Sequence, residues 1–91
     1  MIEKGRIKYM LQPQEVSPTF RKAEIVIETD AQYPQIIKFD LHQDNCKLLE
    51  GKQIGQMVEI KFDIRGKEYN NPQKGIQVFN TLVAWQVNVM Q

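Results

Sequence analysis

Few residues in this chain could do covalent chemistry. It has one histidine, His42, and one cysteine, Cys46. A Cys–His pair makes a nucleophile when the imidazole takes the thiol proton. Here the four-residue spacing runs off the end of a strand, so it does not guarantee one face, and nothing obvious orients the imidazole. The pair is read as structural. A structural zinc site needs four ligands, mostly Cys and His, and one of each cannot supply it. Gly51-Lys52-Gln53-Ile54-Gly55 lacks the Gly-Lys-Ser/Thr ending of a phosphate loop and precedes a strand rather than a helix. Acidic residues number 11, yet no two are placed by the sequence as a general acid and base. The expectation is a protein with no catalytic residue, no metal ligand and no cofactor.

Binding chemistry remains. Proteins that hold single-stranded nucleic acid need cations for phosphates and flat rings for bases. Lys22 and Lys38 share parity on two neighbouring strands and are expected to point outward together. Phe20 and Arg21 lead into Lys22, and a later hairpin offers Arg65, Lys67, Tyr69 and Lys74. These eight residues are the candidate nucleic-acid-binding set, and Lys22, Lys38, Arg65, Lys67 and Lys74 among them are expected to converge into one cationic channel. A plainer reading stands beside this one. Any β protein carries lysine and arginine on its wet faces. Glu24, Glu28 and Asp40 share the outward face and would repel phosphate, Tyr69 would staple its own hairpin, and Phe20 would join the core. Trp85 falls in the buried phase of the last strand and is expected in the core.

Those residues must be positioned by strands. The hydrophobic period is mostly two. Ile7, Tyr9 and Leu11 alternate with Arg6, Lys8 and Met10 over residues 3–11. Pro13 and Pro18 bracket a polar stretch read as loop, because proline gives no N–H to a ladder. Ala23, Ile25 and Ile27 mark a second strand over 20–29, and Ile37, Phe39 and Leu41 a third over 35–42. The pattern then breaks. Asp44 or Asn45 is placed to cap a short helix, with Leu48 and Leu49 as its apolar face and Gly51 as its stop. Val58, Ile60, Phe62 and Ile64 alternate without fault with Glu59, Lys61, Asp63 and Arg65. Residues 66–75 read as a hairpin loop. A last strand over 76–89 places Val83, Trp85, Val87 and Val89 on one face, with a bulge expected near Asn80-Thr81 where the phase slips.

Composition sets bounds on this reading. Ninety-one residues make one domain, and 42% hydrophobic with 25% charged residues is ordinary globular usage. A chain this short buries only about two-thirds of the surface it exposes when unfolded. The formal net charge is +1, so no global field draws in nucleic acid or membrane, and such binding must rest on a local patch. The lone cysteine excludes an internal disulfide. No apolar run approaches the ~20 residues of a membrane helix, and the N-terminus lacks the apolar core of a signal peptide. The cytoplasm is the expected location.

Strand, strand, strand, short helix, strand, strand is the order of the OB fold, a five-stranded Greek-key barrel that binds oligonucleotides across strands 2 and 3 between the 1–2 and 4–5 loops. A five-stranded SH3-like barrel is the alternative. The run Gly55–Tyr69 resembles the fourth strand and hairpin of bacterial single-stranded-DNA-binding proteins. The chain as a whole is more similar to a family of short bacterial proteins of unassigned function related to that OB group, through Tyr33-Pro34, Phe39, Ile64-Arg65-Gly66, Phe79-Asn80 and Ala84-Trp85. The resemblance implies a non-catalytic OB barrel binding single-stranded nucleic acid, DNA favoured, as a homodimer or homotetramer. Two features depart from the single-stranded-DNA-binding pattern. Those proteins carry more aromatic residues on their strands, and with Gln91 just after the last strand, recruitment through their long acidic-tipped tail is not expected of this chain. Another class of function is a protein-interaction or assembly module, for which outward Val26 and Ile36 on adjacent strands would seed an apolar patch. A small-ligand or oligosaccharide OB domain is a third.

Overall fold

Alternation on β4 (Met57–Asn71) drives the architecture. Its even-numbered residues Val58, Ile60 and Phe62 are buried, and they meet Ile7, Ala23, Ile25, Ile27, Phe39, Leu41, Ala84 and Val87 in one core. The computed structural model describes residues 1–90. Its other strands are β1 (Ile2–Ser17), β2 (Phe20–Thr29), β3 (Ile36–His42) and β5 (Gly75–Val89). They close in the order β1-β2-β3-β5-β4, with β1 paired to β4 over Ile2–Arg6. Only β3 and β5 run parallel, meeting at Asp40 and Val83. This is the OB barrel, with a seven-residue 3-10 helix, Gln43–Leu49, between β3 and β4.

The helix differs from expectation in its start. Neither Asp44 nor Asn45 caps it with a side chain; His42 precedes it in extended conformation. Gln43 takes φ 54° and fastens the helix start to the β1–β2 hairpin, its side-chain amide donating to the Thr19 carbonyl at 2.8 Å and its Oε1 accepting from the Arg21 N–H at 3.2 Å. Cys46 and Leu49 plug the barrel. Gly51, at φ 74°, reverses the chain afterwards as expected.

Three strand boundaries run past their sequence limits. β1 continues to Ser17, and its hairpin turns at Pro18-Thr19. Pro13 is tolerated because the register shifts between Leu11 and Gln14, where the ladder asks nothing of its missing N–H. β4 and β5 remain paired out to Asn71 and Gly75, so most of the expected loop is a two-stranded arm. Its turn is held by Asn71 Oδ1, which accepts from the N–H groups of Gln73 (2.8 Å) and Lys74 (3.2 Å).

Bulges account for the phase errors. Ile7 faces Ile27 while Tyr9 faces Val26, so Lys8 is an extra residue on β1. Past it, Met10 turns toward the core, and Tyr9 and Leu11 are exposed. On β5 the ladder is regular at Asn80-Thr81. The slip lies later, where Lys61 faces Gln86 and Phe62 faces Ala84, leaving Trp85 unpaired. Inserting one residue swings all later side chains to the other face.

The largest fully buried side chain, Phe39, meets Phe62 edge to face at 4.9 Å and 64°. Phe39→Ala is expected to cost about 3–5 kcal/mol, the usual range for truncating a buried phenylalanine. Urea unfolding followed by far-UV circular dichroism measures it, and a loss under 1 kcal/mol would contradict this packing.

Candidate nucleic-acid interface

Odd-numbered residues of β4 point outward, so the strand that builds the core also presents Arg65, Lys67 and Tyr69 on the outer face of the arm. The register sets Lys67 opposite Phe79 and Tyr69 opposite Gln77. Tyr69 and Phe79 are thus diagonal neighbours on one face, and their rings meet edge to face at 5.7 Å. Across from this arm stand the start of β2 and the end of β3. Lys22 pairs with His42, which puts Phe20 beside the imidazole, ring centroids 4.9 Å apart.

Between the two walls runs a groove with two lobes. One, of about 390 Å³, is lined by Phe20, Asp40, His42, Arg65, Lys67, Tyr69 and Phe79 among others. The second, of about 650 Å³, shares Phe20, His42 and Arg65 and ends at Asp63, Val83 and Trp85. Trp85 is corrected from its expected core position: the bulge sends it outward, 47% exposed, with the Lys61 ammonium 5.9 Å from its ring. Five flat rings therefore border one concavity, those of Phe20, His42, Tyr69, Phe79 and Trp85.

Lys22, Lys38, Arg65, Lys67 and Lys74 do not converge into one cationic channel. Phe20, Arg65, Lys67 and Tyr69 come together in the groove. Lys22 lies next to it but is held by carboxylates, with Glu24 Oε1 at 3.4 Å and Asp40 Oδ2 at 3.6 Å. Lys38 stands further down the same face, 4.0 Å from Glu24. Arg21 has the opposite parity to Phe20 and lines a separate cleft against the 3-10 helix with Gln43, Cys46 and Leu49. Lys74 sits in the turn at the tip of the arm. The physical reason is cross-strand pairing: β2 and β3 place Glu24 opposite Asp40 within reach of both lysines. Among the described residues, Arg65 and Lys67 have no ion-pair partner.

Sequence reasoning missed Phe79, Trp85 and His42 as groove residues. Phe79 was legible in principle, since continuing the β4–β5 ladder past residue 66 puts it diagonal to Tyr69. Trp85 is misplaced because the phase slip of the last strand points to a bulge at Asn80-Thr81, whereas the extra residue is Trp85 itself. His42 and Cys46 engage different partners. The imidazole Nε2 lies 3.5 Å from Asp40 Oδ2, while the buried Cys46 thiol donates to the Leu41 carbonyl at 3.3 Å. Asp40 is only 6% exposed, and Lys22 and His42 both flank it, which supplies the partners that a buried carboxylate requires.

The fold has solved counterparts. Two structures of mitochondrial single-stranded DNA binding protein Rim1 from S. cerevisiae superpose on the chain with TM-scores of 0.76 and 0.69. Each is 17% identical, and each match covers 100% of this chain and 93% of that one. At that identity the likeness establishes the OB fold. No curated protein matches the sequence significantly. A family model described as domain of unknown function (DUF3127) matches residues 3–88, nearly the whole chain, and the chain belongs to that family.

Proposed function

We propose that this protein binds single-stranded nucleic acid, DNA favoured, in the groove between the Phe20–His42 wall and the β4–β5 arm, and that it does no chemistry on its ligand. One observation carries the reading: five flat rings border a concavity whose two groove cations, Arg65 and Lys67, are free of carboxylate partners among the described residues. Rings accept bases of any sequence, and cations meet the phosphates between them. The groove lies between the 1–2 hairpin and the 4–5 hairpin, the two loops that flank the oligonucleotide site of OB barrels. The choice of DNA leans on the likeness to proteins described as single-stranded DNA binding. Binding without catalysis is supported by the surroundings of the two reactive side chains: the thiol is buried on a carbonyl, and the imidazole is turned to Asp40 and Phe20.

A second reading, assembly of like chains as a dimer or tetramer, has its own observation. Val26 faces Tyr9 and is partly buried, and Ile36 is exposed on the next strand. The inner face of the arm adds exposed Ile64, Ile76 and Val78. Exposed apolar side chains favour association where a second chain covers them. Light scattering on a size-exclusion column tests it, and a strict monomer across the accessible concentration range would remove it.

Fluorescence anisotropy of a labelled dT oligomer at low salt tests the first reading. Binding is expected, and its absence at micromolar protein would end the proposal. Single substitutions Tyr69→Ala, Phe79→Ala and Trp85→Ala are each expected to weaken binding by about 1–3 kcal/mol, the range for losing one base–ring stack. Because these rings are 52%, 55% and 47% exposed, thermal unfolding of the variants should stay near that of the parent. Full affinity in all three variants would show that the rings do not touch the ligand.

A further inference from the structure

We propose that the bound strand stays off the β2–β3 face and is confined to the groove, so that the site holds a short stretch, roughly three to four nucleotides, mainly by stacking. This rests on the nucleic-acid reading above and narrows it to short single-stranded segments such as ends and small gaps. It would put this chain at the low end of the ~4–16 nucleotides that OB folds occupy.

The argument is electrostatic. On the outer face of β2 and β3 the register gathers Lys22, Glu24, Lys38 and Asp40 into one cluster. Both ammonium groups lie within 4.0 Å of a carboxylate, and Glu24 serves the two of them. The two lysines are therefore matched one for one by Glu24 and Asp40, and Glu28, exposed further along β2, faces Arg6 of β1. The strength of the ion pairs is not what matters, since exposed pairs are individually weak. What matters is placement: each ammonium group here already has a carboxylate within 4.0 Å, so a phosphate crossing this face would lie against Glu24 and Asp40 as well as the lysines. Strand-binding surfaces depend on neutralising phosphates with cations that displace counterions, and this face has none to spare.

The groove differs. Arg65 and Lys67 stand on its arm side with no ion-pair partner among the described residues; of the carboxylates lining it, Asp40 is flanked by Lys22 and His42, and Asp63 lies at the Trp85 end. Ring positions fall into three stations: Trp85, the Phe20–His42 pair and the Tyr69–Phe79 pair. Three stations take about three bases, and two cations take about two phosphates. The phosphates belong at the Tyr69–Phe79 end and in the middle, away from Asp63.

Salt titrations on a length series of dT oligomers test this with the intact chain. Two phosphates predict a log–log salt slope of about −1.4, at ~0.7 per contact on a single strand, and affinity that stops rising once the oligomer reaches about four nucleotides. Lys38→Gln, at a largely exposed side chain off the groove, should change neither quantity. Glu24→Gln removes the carboxylate shared by Lys22 and Lys38. It should steepen the slope toward about −2 to −3 and move the plateau to longer oligomers. A parental slope steeper than about −3, reduced by ~0.7 in Lys38→Gln, would place phosphate on the sheet face and overturn the inference. So would a Glu24→Gln protein that matches the parent in slope and plateau. Both results leave nucleic-acid binding itself standing. No binding by the parent or by Glu24→Gln would instead remove the reading on which the inference rests.

Discussion

Inward packing of Val58, Ile60 and Phe62 fixes how β4 pairs with β5, and that pairing aims every groove residue further along the arm. Side chains on a strand alternate with a period of two, so one strand can be a core element on one face and a ligand surface on the other. A slip of one residue would expose the three buried side chains and bury their charged neighbours Glu59, Lys61 and Asp63. The hydrophobic cost of that slip is what holds Arg65, Lys67 and Tyr69 outward, although these three contribute little burial themselves. The arm needs no core of its own. Its orientation is set within the barrel and transmitted by a continuous backbone ladder to Asn71 and Gly75.

Charge is distributed unevenly around the barrel even though the total is nearly balanced. Lys22, Lys38, Glu24 and Asp40 form a closed cluster on the β2–β3 face, and His42 adds to it at Asp40. This cluster also makes the burial of Asp40 tolerable, since a carboxylate withdrawn from water must keep partners. The arm has cations without such compensation. A chain of small net charge thereby keeps two cations without ion-pair partners, among the described residues, beside its outward rings, while the lysines of its sheet face are matched by carboxylates.

Much of the fold was legible in the sequence. β2 and β3 were set by clean alternation of β-branched and apolar residues with glutamate, aspartate and lysine. The first half of β4 was equally clear, and the helix between β3 and β4 followed from the broken period. What escaped reading has two physical causes. Bulges at Lys8 and Trp85 invert parity without leaving a compositional mark, which misplaced Tyr9, Leu11 and Trp85. Polar strands look like loops: Lys67-Glu68-Tyr69-Asn70 pair with Ile76–Phe79 through backbone hydrogen bonds that no side-chain pattern announces. For the groove, the sequence yielded the four members whose types advertise binding, Phe20, Arg65, Lys67 and Tyr69. It overcounted lysines, because which carboxylate neutralises which ammonium depends on cross-strand register.

The bulge at Trp85 separates two adjacent positions that would otherwise constrain each other. Ala84 is fully buried and faces Phe62, so it has no room to vary. The next residue is excluded from the ladder and opens onto the groove. No β4 residue stands opposite it in the ladder, and its contact across the strands is the Lys61 ammonium over its ring. Core and groove are thus served by two consecutive residues: one seals the barrel against Phe62, and the other turns its ring outward without disturbing that seal.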